Sequence, residues 1–423
     1  MSRATEQPRD PIAWCTALAV GFWLLVLWNI AIPTKPYFDE VHYLPAAREI
    51  LELQRFTNRE HPLFGKELIA LGIALFGDNP WGWRIMSSIC GALALFAISR
   101  AAWFATLSRF ATIASTILVA TGFHLFVHSR IAMLDVFMVA AIGVAYWQLA
   151  GAMREPETGR RRLAIAGIAL GLAMASKWNA VPLAMTPGIA FLVLRWKAGR
   201  RRLLVSRRGM PVPGMTLVEA FVWLGVVPLA VYAATFWPGY LFEVDGITNG
   251  ILAHHRFMLD LQTQVLQAHP YESTWPEWML NLRAIWYLYE NVDGAQRGVL
   301  LVGNPLTMLL GLPALVWCAI KGISGRSPAH GAVALLYAVS LGLWLFAAKS
   351  TQFYYHYFLP STFLLVALAL ALNELWQAGW RKSAIAVLVA SVLLFAFFYE
   401  ILAAEPLARA DSFVTWAWID SWK

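Results

Sequence analysis

Eleven apolar runs constrain this chain more than any other feature. They lie at about 12–32, 82–105, 109–127, 131–150, 162–176, 180–196, 216–236, 299–320, 332–347, 354–373 and 383–402. Each approaches the ~20 residues that an α-helix needs to cross a bilayer. Hydrocarbon offers no hydrogen-bond partner to a backbone, so segments of this kind become helices. The fifth and sixth runs are short and read equally as one broken or tilted pair. Charge agrees: 14% of the 423 residues are charged, against about 25% in a soluble domain. The net charge of +8 does not point to nucleic acid, because the basic residues fall between the apolar runs. Cys15, Cys90 and Cys318 lie inside such runs, with neither a disulfide framework nor metal-ligand spacing. The first run has no small-residue cleavage site after it and reads as an uncleaved anchor. The expected fold class is an all-α polytopic membrane protein of about eleven transmembrane helices.

Loop charge supplies an orientation. With the N-terminus in the cytoplasm, the inner side holds Arg3, Arg9, Arg100, Arg109, Arg154 and Arg160 to Arg162. It also holds Arg195, Lys197, Arg200, Arg201, Arg202, Arg207 and Arg208, then Lys321, Arg326, Arg381 and Lys382. These are 19 of the 33 Lys and Arg, and only 6 of the 25 Asp and Glu join them. An odd number of spans then puts the C-terminus outside. Two outer loops are long, 33–81 and 237–298, and both are rich in Trp, Tyr, His and Pro. Within them, Ala46 to Phe56 and Gly246 to Gln267 read as amphipathic helices lying along the interface. The chain divides into 1–236 with the first loop, the 237–298 loop, and a four-helix module at 299–423.

Chemistry concentrates on that outer side. Tyr37-Phe38-Asp39-Glu40-Val41-His42-Tyr43 follows the first run directly. A carboxylate there can take the proton of an attacking hydroxyl. An Asp-Glu pair alone is more often an exposed turn, and the wall of aromatics is what argues for a site. In His61-Pro62-Leu63-Phe64-Gly65-Lys66, the Pro opens a helix and puts Lys66 near its N-terminus, a setting that favours an anion such as phosphate. A lysine snorkelling to the interface is the equal alternative. Arg84, Arg130 and Asp135 are ionisable groups at or in spans, where charges face a bundle interior or a cavity. Asp135 reads slightly better as a structural ion pair with another helix. Lys177-Trp178 and Gln352 to Tyr357 suit lipid phosphates and sugars, or an ordinary aromatic belt. The same holds for His269 to Pro276.

Taken together, these islands resemble the protein O-mannosyltransferase family, which transfers sugars from polyprenyl phosphates and has the GT-C fold. Phe38 to Tyr43 is similar to the family's acidic motif, and His61 to Lys66 to its His-Pro-Pro-Leu-Gly-Lys motif. Arg84, Ser129 to Asp135, Gly171 to Trp178, His269 to Trp275, Gly303-Asn304-Pro305, and Phe353 to Tyr355 with Pro360 follow in the family's order. The second motif departs by carrying one Pro and by the insertion of Phe64, and the second outer loop has no room for the family's soluble domain. The resemblance implies transfer of mannose, with inversion, from polyprenyl-phosphate-mannose to Ser or Thr hydroxyls of exported proteins. The alternatives are a glycolipid acceptor such as lipid A, as for aminoarabinose transferases, and a lipid transporter or flippase. The resemblance implies Asp39 as base, with Glu40 as its partner in acceptor or site organisation. Lys66, Arg84, Lys177, Arg283 and His61 become the candidates for the donor phosphate. Substrate contacts are expected at His42, Tyr43, Arg130, Asp135, Trp178, His269, Tyr271, Trp275, Asn304 and Tyr354. No metal and no cofactor beyond the lipid-linked donor is expected. The expected place is an inner or plasma membrane, with the site on its extracytoplasmic face.

Overall fold

Every apolar run contains a helix, and the differences lie in where the helices begin and end. The computed structural model describes residues 8–198, 203–207, 209–264, 269–347, 349 and 351–423. Arg3, Arg200, Arg201, Arg202 and Arg208 lie outside them. The helices in order are α1 (Ile12–Leu27), α2 (Glu40–Glu52), α3 (Phe64–Phe76), α4 (Pro80–Thr106), α5 (Arg109–Ala120), α6 (His124–His128), α7 (Leu134–Arg154), α8 (Gly159–Ser176) and α9 (Val181–Ala198). Then come α10 (Leu217–Ala234), α11 (Gly250–Gln262), α12 (Trp275–Met279), and strands β1 (Ile285–Val292) and β2 (Ala295–Leu301). Last are α13 (Pro305–Ile323), α14 (Pro328–Phe346), α15 (Phe358–Gln377) and α16 (Arg381–Leu402).

Among the described residues, seven helices are long and apolar enough to cross a membrane: α4, α7, α10, α13, α14, α15 and α16. α1 and α5 are apolar but shorter. α8 opens on Arg160 to Arg162 and α9 closes on Arg195 and Lys197, so their apolar lengths fall short of their helical lengths. The chain is an integral membrane protein.

Three details differ from expectation. The run read as starting at 299 begins instead as strand β2, and the span behind it starts only at Pro305. The fold is also not purely helical, because β1 and β2 form an antiparallel hairpin closed by Asp293-Gly294. Both turn residues have positive φ, +52° and +72°, the conformation that favours Asp-Gly in two-residue hairpin loops. In the first loop the helix starts at Glu40 rather than Ala46, so the acidic motif sits in its first turn.

Local signals set these boundaries. Asn79 accepts from the N–H groups of Trp81 and Gly82 while Pro80 opens α4, and Ser108 caps α5. α3 and α4 cross closely because Gly72 faces Gly82, where a Cβ on Gly72 would lie 2.3 Å from the Gly82 carbonyl oxygen. α15 is buried over nearly its whole length and packs against α5, α13 and α14, joining the two halves of the chain in one core. The C-terminal tail returns to the hairpin, with the Trp286 indole donating to the Trp422 carbonyl at 2.9 Å.

Candidate active site

The site is built on the turn that leads into α2. Phe38 has φ +49°, a backbone region that non-glycine residues rarely occupy. It is held there by stacking on Tyr287 of β1, with ring centroids 3.8 Å apart. The Tyr287 hydroxyl meets His128 Nε2 at 3.2 Å, and His128 Nδ1 donates to the His124 carbonyl at 2.8 Å. Asp39 follows immediately. Its carboxylate has no hydrogen-bond partner among the described residues, and burial pushes its pKa up while Lys177 pulls the other way. The charges of Asp135, His42 and Lys349 also reach it.

Glu40, one residue on, points into the protein. It is fully buried and takes both Nε and Nη2 of Arg84 at 2.8 Å. It also accepts from the N–H groups of Ala132, at 3.0 Å, and Tyr37. The remaining donors of Arg84 go to the carbonyls of Ile30, Pro33 and Lys35. Two residues expected at the chemistry therefore make a buried framework for the turn. Neither has a free edge for a substrate.

Opposite Asp39 stands the pair Asp135 and Lys177. Lys177 Nζ lies 3.0 and 2.8 Å from the two carboxylate oxygens of Asp135, and 4.8 Å from the Tyr355 ring centroid. Asp135 occupies the first turn of α7 and Lys177 the end of α8. Lys349, between α14 and α15, contributes a second ammonium to the cluster. His61 is kept neutral, its pKa driven well below the ordinary value by burial and by Lys177, Lys349 and Lys66. Tyr43 is buried with its ring edge-on to His61, at 6.0 Å between centroids.

Lys66 departs from its expected role. It is fully buried, and its ammonium donates to the carbonyls of Asn58 and His61 at 2.6 and 2.9 Å. Burial lowers its pKa to about 7. It closes the 58–61 loop, which brings His61 to the cluster, and takes no part as a free phosphate ligand.

The chain's own likenesses bear on this arrangement. Sequence-family models described as dolichyl-phosphate-mannose-protein mannosyltransferase match residues 60–226 and 16–83. The polyprenol-phosphate-mannose–protein mannosyltransferase of Mycolicibacterium smegmatis is 29% identical over 93% of this chain and 90% of its own. Over nearly its whole length the chain resembles the protein O-mannosyltransferase family. Among solved structures, the Saccharomyces cerevisiae Pmt1-Pmt2 complex bound to the sugar donor superposes with a TM-score of 0.82 at 15% identity, over 98% of this chain and 93% of that one. ArnT of Cupriavidus metallidurans bound to undecaprenyl phosphate is more distant. Its TM-score is 0.58 at 16% identity, over 92% of this chain and 65% of that one. The fold is that of the GT-C glycosyltransferases.

Several residues expected at the substrate make contacts within the protein. Arg130 donates to the carbonyls of Val26, Trp28, Asn29 and Ala403, tying the end of α1 to the end of α16. Asn304 precedes α13 and donates to the Thr121 and Ser391 carbonyls. Tyr354 gives its hydroxyl to Asn281 Oδ1 at 2.5 Å. Trp178 donates to Tyr232, which in turn meets His255 Nε2 at 2.6 Å. Arg283 pairs with Glu277 at 3.6 Å and donates to the Glu272 carbonyl. His269, Tyr271 and Trp275 lie together beside Phe353, on a more exposed edge. His42 is exposed within range of Asp39. The residues that the sequence reading did not place at the site are Lys349, Tyr287 and His128, while Tyr355 lay within the singled-out stretch Gln352 to Tyr357. Lys349 had one signal, being the only charge between α14 and α15. Tyr287 had only the Asp-Gly turn of its hairpin.

Proposed function

We propose that this chain transfers mannose from a polyprenyl-phosphate-mannose donor to Ser or Thr hydroxyls of exported proteins, with Asp39 as the base. One observation carries the reading: an aspartate with no side-chain hydrogen bond among the described residues shares a polar cluster with the Asp135–Lys177 pair, and one helical turn beyond Asp135 and Tyr355 the side chains of Val139 and Leu359 line a large apolar groove. That groove is a cavity of about 610 Å³ between α4, α7, α9, α14 and α15. It is lined by side chains such as Ile142, Phe191, Leu336, Leu359, Phe363 and Val366. Leu359 lies one helical turn beyond Tyr355, the residue under Lys177. From Leu359 to Leu370 the groove follows α15 for about 16 Å at 1.5 Å per residue. It suits the polyprenyl chain, with the phosphate at the polar end.

In the proposed step the acceptor hydroxyl oxygen attacks C1 of the mannosyl group from the face opposite the phosphate. The C1–O bond to phosphate breaks, and its electron pair leaves with the polyprenyl phosphate, which goes from one negative charge to two. The hydroxyl proton passes to Asp39, which later returns it to water. A base with a raised pKa suits this role, because a carboxylate stripped of partners holds a proton better. Positive charge fixed beside the leaving phosphate favours the charge that grows there. The residues present need no metal for these roles, and we propose transfer that is insensitive to chelators.

Cytoplasmic nucleotide sugars do not reach an extracytoplasmic site, which fits a lipid-linked donor. The charge bias of the loops supports a cytoplasmic N-terminus in an inner or plasma membrane, with Asp39 on the far face.

The test uses purified full-length protein in detergent with labelled polyprenyl-phosphate-mannose, offered a Ser/Thr-rich peptide beside a lipid A fraction. Label in the peptide supports the reading. Label in lipid A alone moves the acceptor to a glycolipid, and label in neither overturns the assignment.

A further inference from the structure

The cations near Asp39 are almost all committed. Arg84 is saturated by Glu40 and three carbonyls, Arg130 by four carbonyls, and Lys66 by two. Lys177 is bound by both oxygens of Asp135, and Arg283 is paired with Glu277. Arg84, Arg130, Lys66 and Lys177 would each have to give up partners inside the protein to hold a ligand, and leaving such partners unpaired is expensive, while Arg283 and Glu277 form a looser, half-exposed pair. Lys349 differs. It is part-buried in the 347–353 connection, and no hydrogen bond or ion pair to it exists among the described residues.

Its surroundings define its reach. Lys177 at the end of α8, Asp39 before α2, Asp135 on α7 and Glu60 in the 58–61 loop all act on it electrostatically. Lys349 in turn acts on Asp39, on His61 and on His356. His356 stacks on Trp344 at 3.8 Å and leaves its Nε2 unpartnered and buried. Gln352 anchors the connection from both sides, donating to the Trp344 carbonyl at 3.3 Å and accepting from Ser273 N–H at 2.9 Å. The side chain is thus an uncommitted ammonium, delivered to the base by a tethered loop.

We infer that Lys349 is the residue that binds the donor's phosphate, giving the leaving group its direct positive partner while Lys177 and Asp135 hold the floor of the site. The inference deepens the proposed function and rests on it. An ammonium and a phosphate make a charge-assisted hydrogen bond, and Lys349 can form it without giving up a hydrogen bond or ion pair to any described residue. Burial and Lys177 lower its pKa to about 8, against the opposing Asp39, Asp135 and Glu60. The ammonium is therefore present below about pH 8 and is lost as pH rises through that value. Donor capture fails on the alkaline side accordingly.

The experiment measures two things on full-length protein, wild type beside Lys349→Ala and Lys349→Arg. The first is equilibrium binding of labelled polyprenyl phosphate, with uncharged polyprenol as control, which requires no turnover. The second is the pH profile of kcat/KM for the donor. Lys349→Ala should weaken polyprenyl phosphate binding about tenfold or more and leave polyprenol unchanged. Lys349→Arg should retain binding and move the alkaline limb upward by more than one pH unit. Equal phosphate binding in wild type and Lys349→Ala, or an alkaline limb that stays in place in Lys349→Arg, overturns the inference. Loss of phosphate binding in Lys349→Ala with no mannosyl transfer by wild type would support Lys349 as a phosphate ligand while sinking the proposed transfer.

Discussion

At the residue scale, adjacent carboxylates have been given opposite environments. Asp39 faces the cluster without a partner and Glu40 is fully buried against Arg84. Asp39→Asn keeps the shape and removes the base, so transfer should fall to background. Because the native carboxylate is only half-buried and makes no side-chain hydrogen bond among the described residues, the thermal midpoint should not drop, and both are read on one purified sample. The raised pKa also has a sign. As the proposed base, Asp39 acts only when ionised, so activity should be lost as pH falls through a value above the ordinary ~3.9 for aspartate. The acid limb of kcat/KM should sit above that range and vanish in no variant that retains Asp39. Glu40→Gln tests the other member. It leaves the buried Arg84 guanidinium facing an amide, and breaking a buried pair costs about 3–5 kcal/mol. The expected result is a lower unfolding midpoint and poor yield, and a fully stable Glu40→Gln protein with lost activity would instead return Glu40 to the chemistry.

At the element scale, the β-hairpin is the part with the least expected function. Its Tyr287 holds Phe38 in a left-handed conformation and is itself held by His128 of α6. Asp39 is the next residue, so its position is set by a strand about 250 residues further along the chain. Removing the ring in Tyr287→Ala frees Phe38 and lets the base drift. Misplacement by about 1 Å can cost up to a hundredfold in rate, so kcat should fall about ten- to hundredfold while donor KM changes little. Tyr287→Phe keeps the stack and loses only the contact to His128, and should lie between. An unchanged kcat in Tyr287→Ala would separate the hairpin from catalysis.

At the scale of the whole molecule, an apolar groove begins one helical turn below Asp135 and Tyr355, at Val139 and Leu359, and is walled mainly by α4, α7, α9, α14 and α15. The groove predicts a dependence on lipid length. Ala332→Trp, on its wall, should lower kcat/KM for long polyprenyl donors several-fold and leave short-chain donors nearly unaffected, as measured with a series of chain lengths. A uniform loss across the series would show that the substitution disturbs the helices rather than the lipid path.

How much of this was legible in the sequence depends on the range of the interaction. Hydrocarbon forces helices on apolar runs, so eleven helical positions followed from composition alone. Asp39 was legible because a carboxylate among aromatics beside a span has few other uses. Lys177 was legible as a charge near a membrane edge, and its partner Asp135 was expected to pair with another helix, as it does. The roles of Arg84, Arg130 and Lys66 were not legible, nor was the identity of the cation that Glu40 holds. Each is an ionisable residue near the membrane edge, and sequence does not say whether its donors meet carbonyls or solvent. In all four cases the partners lie inside the protein, several of them tens of residues away or more. Lys349, Tyr287 and His128 come to the site from segments separated by tens to hundreds of residues. Local pattern determines which segments become helices and which residues carry charge. Only packing decides which charges are consumed as struts and which one is left free to act.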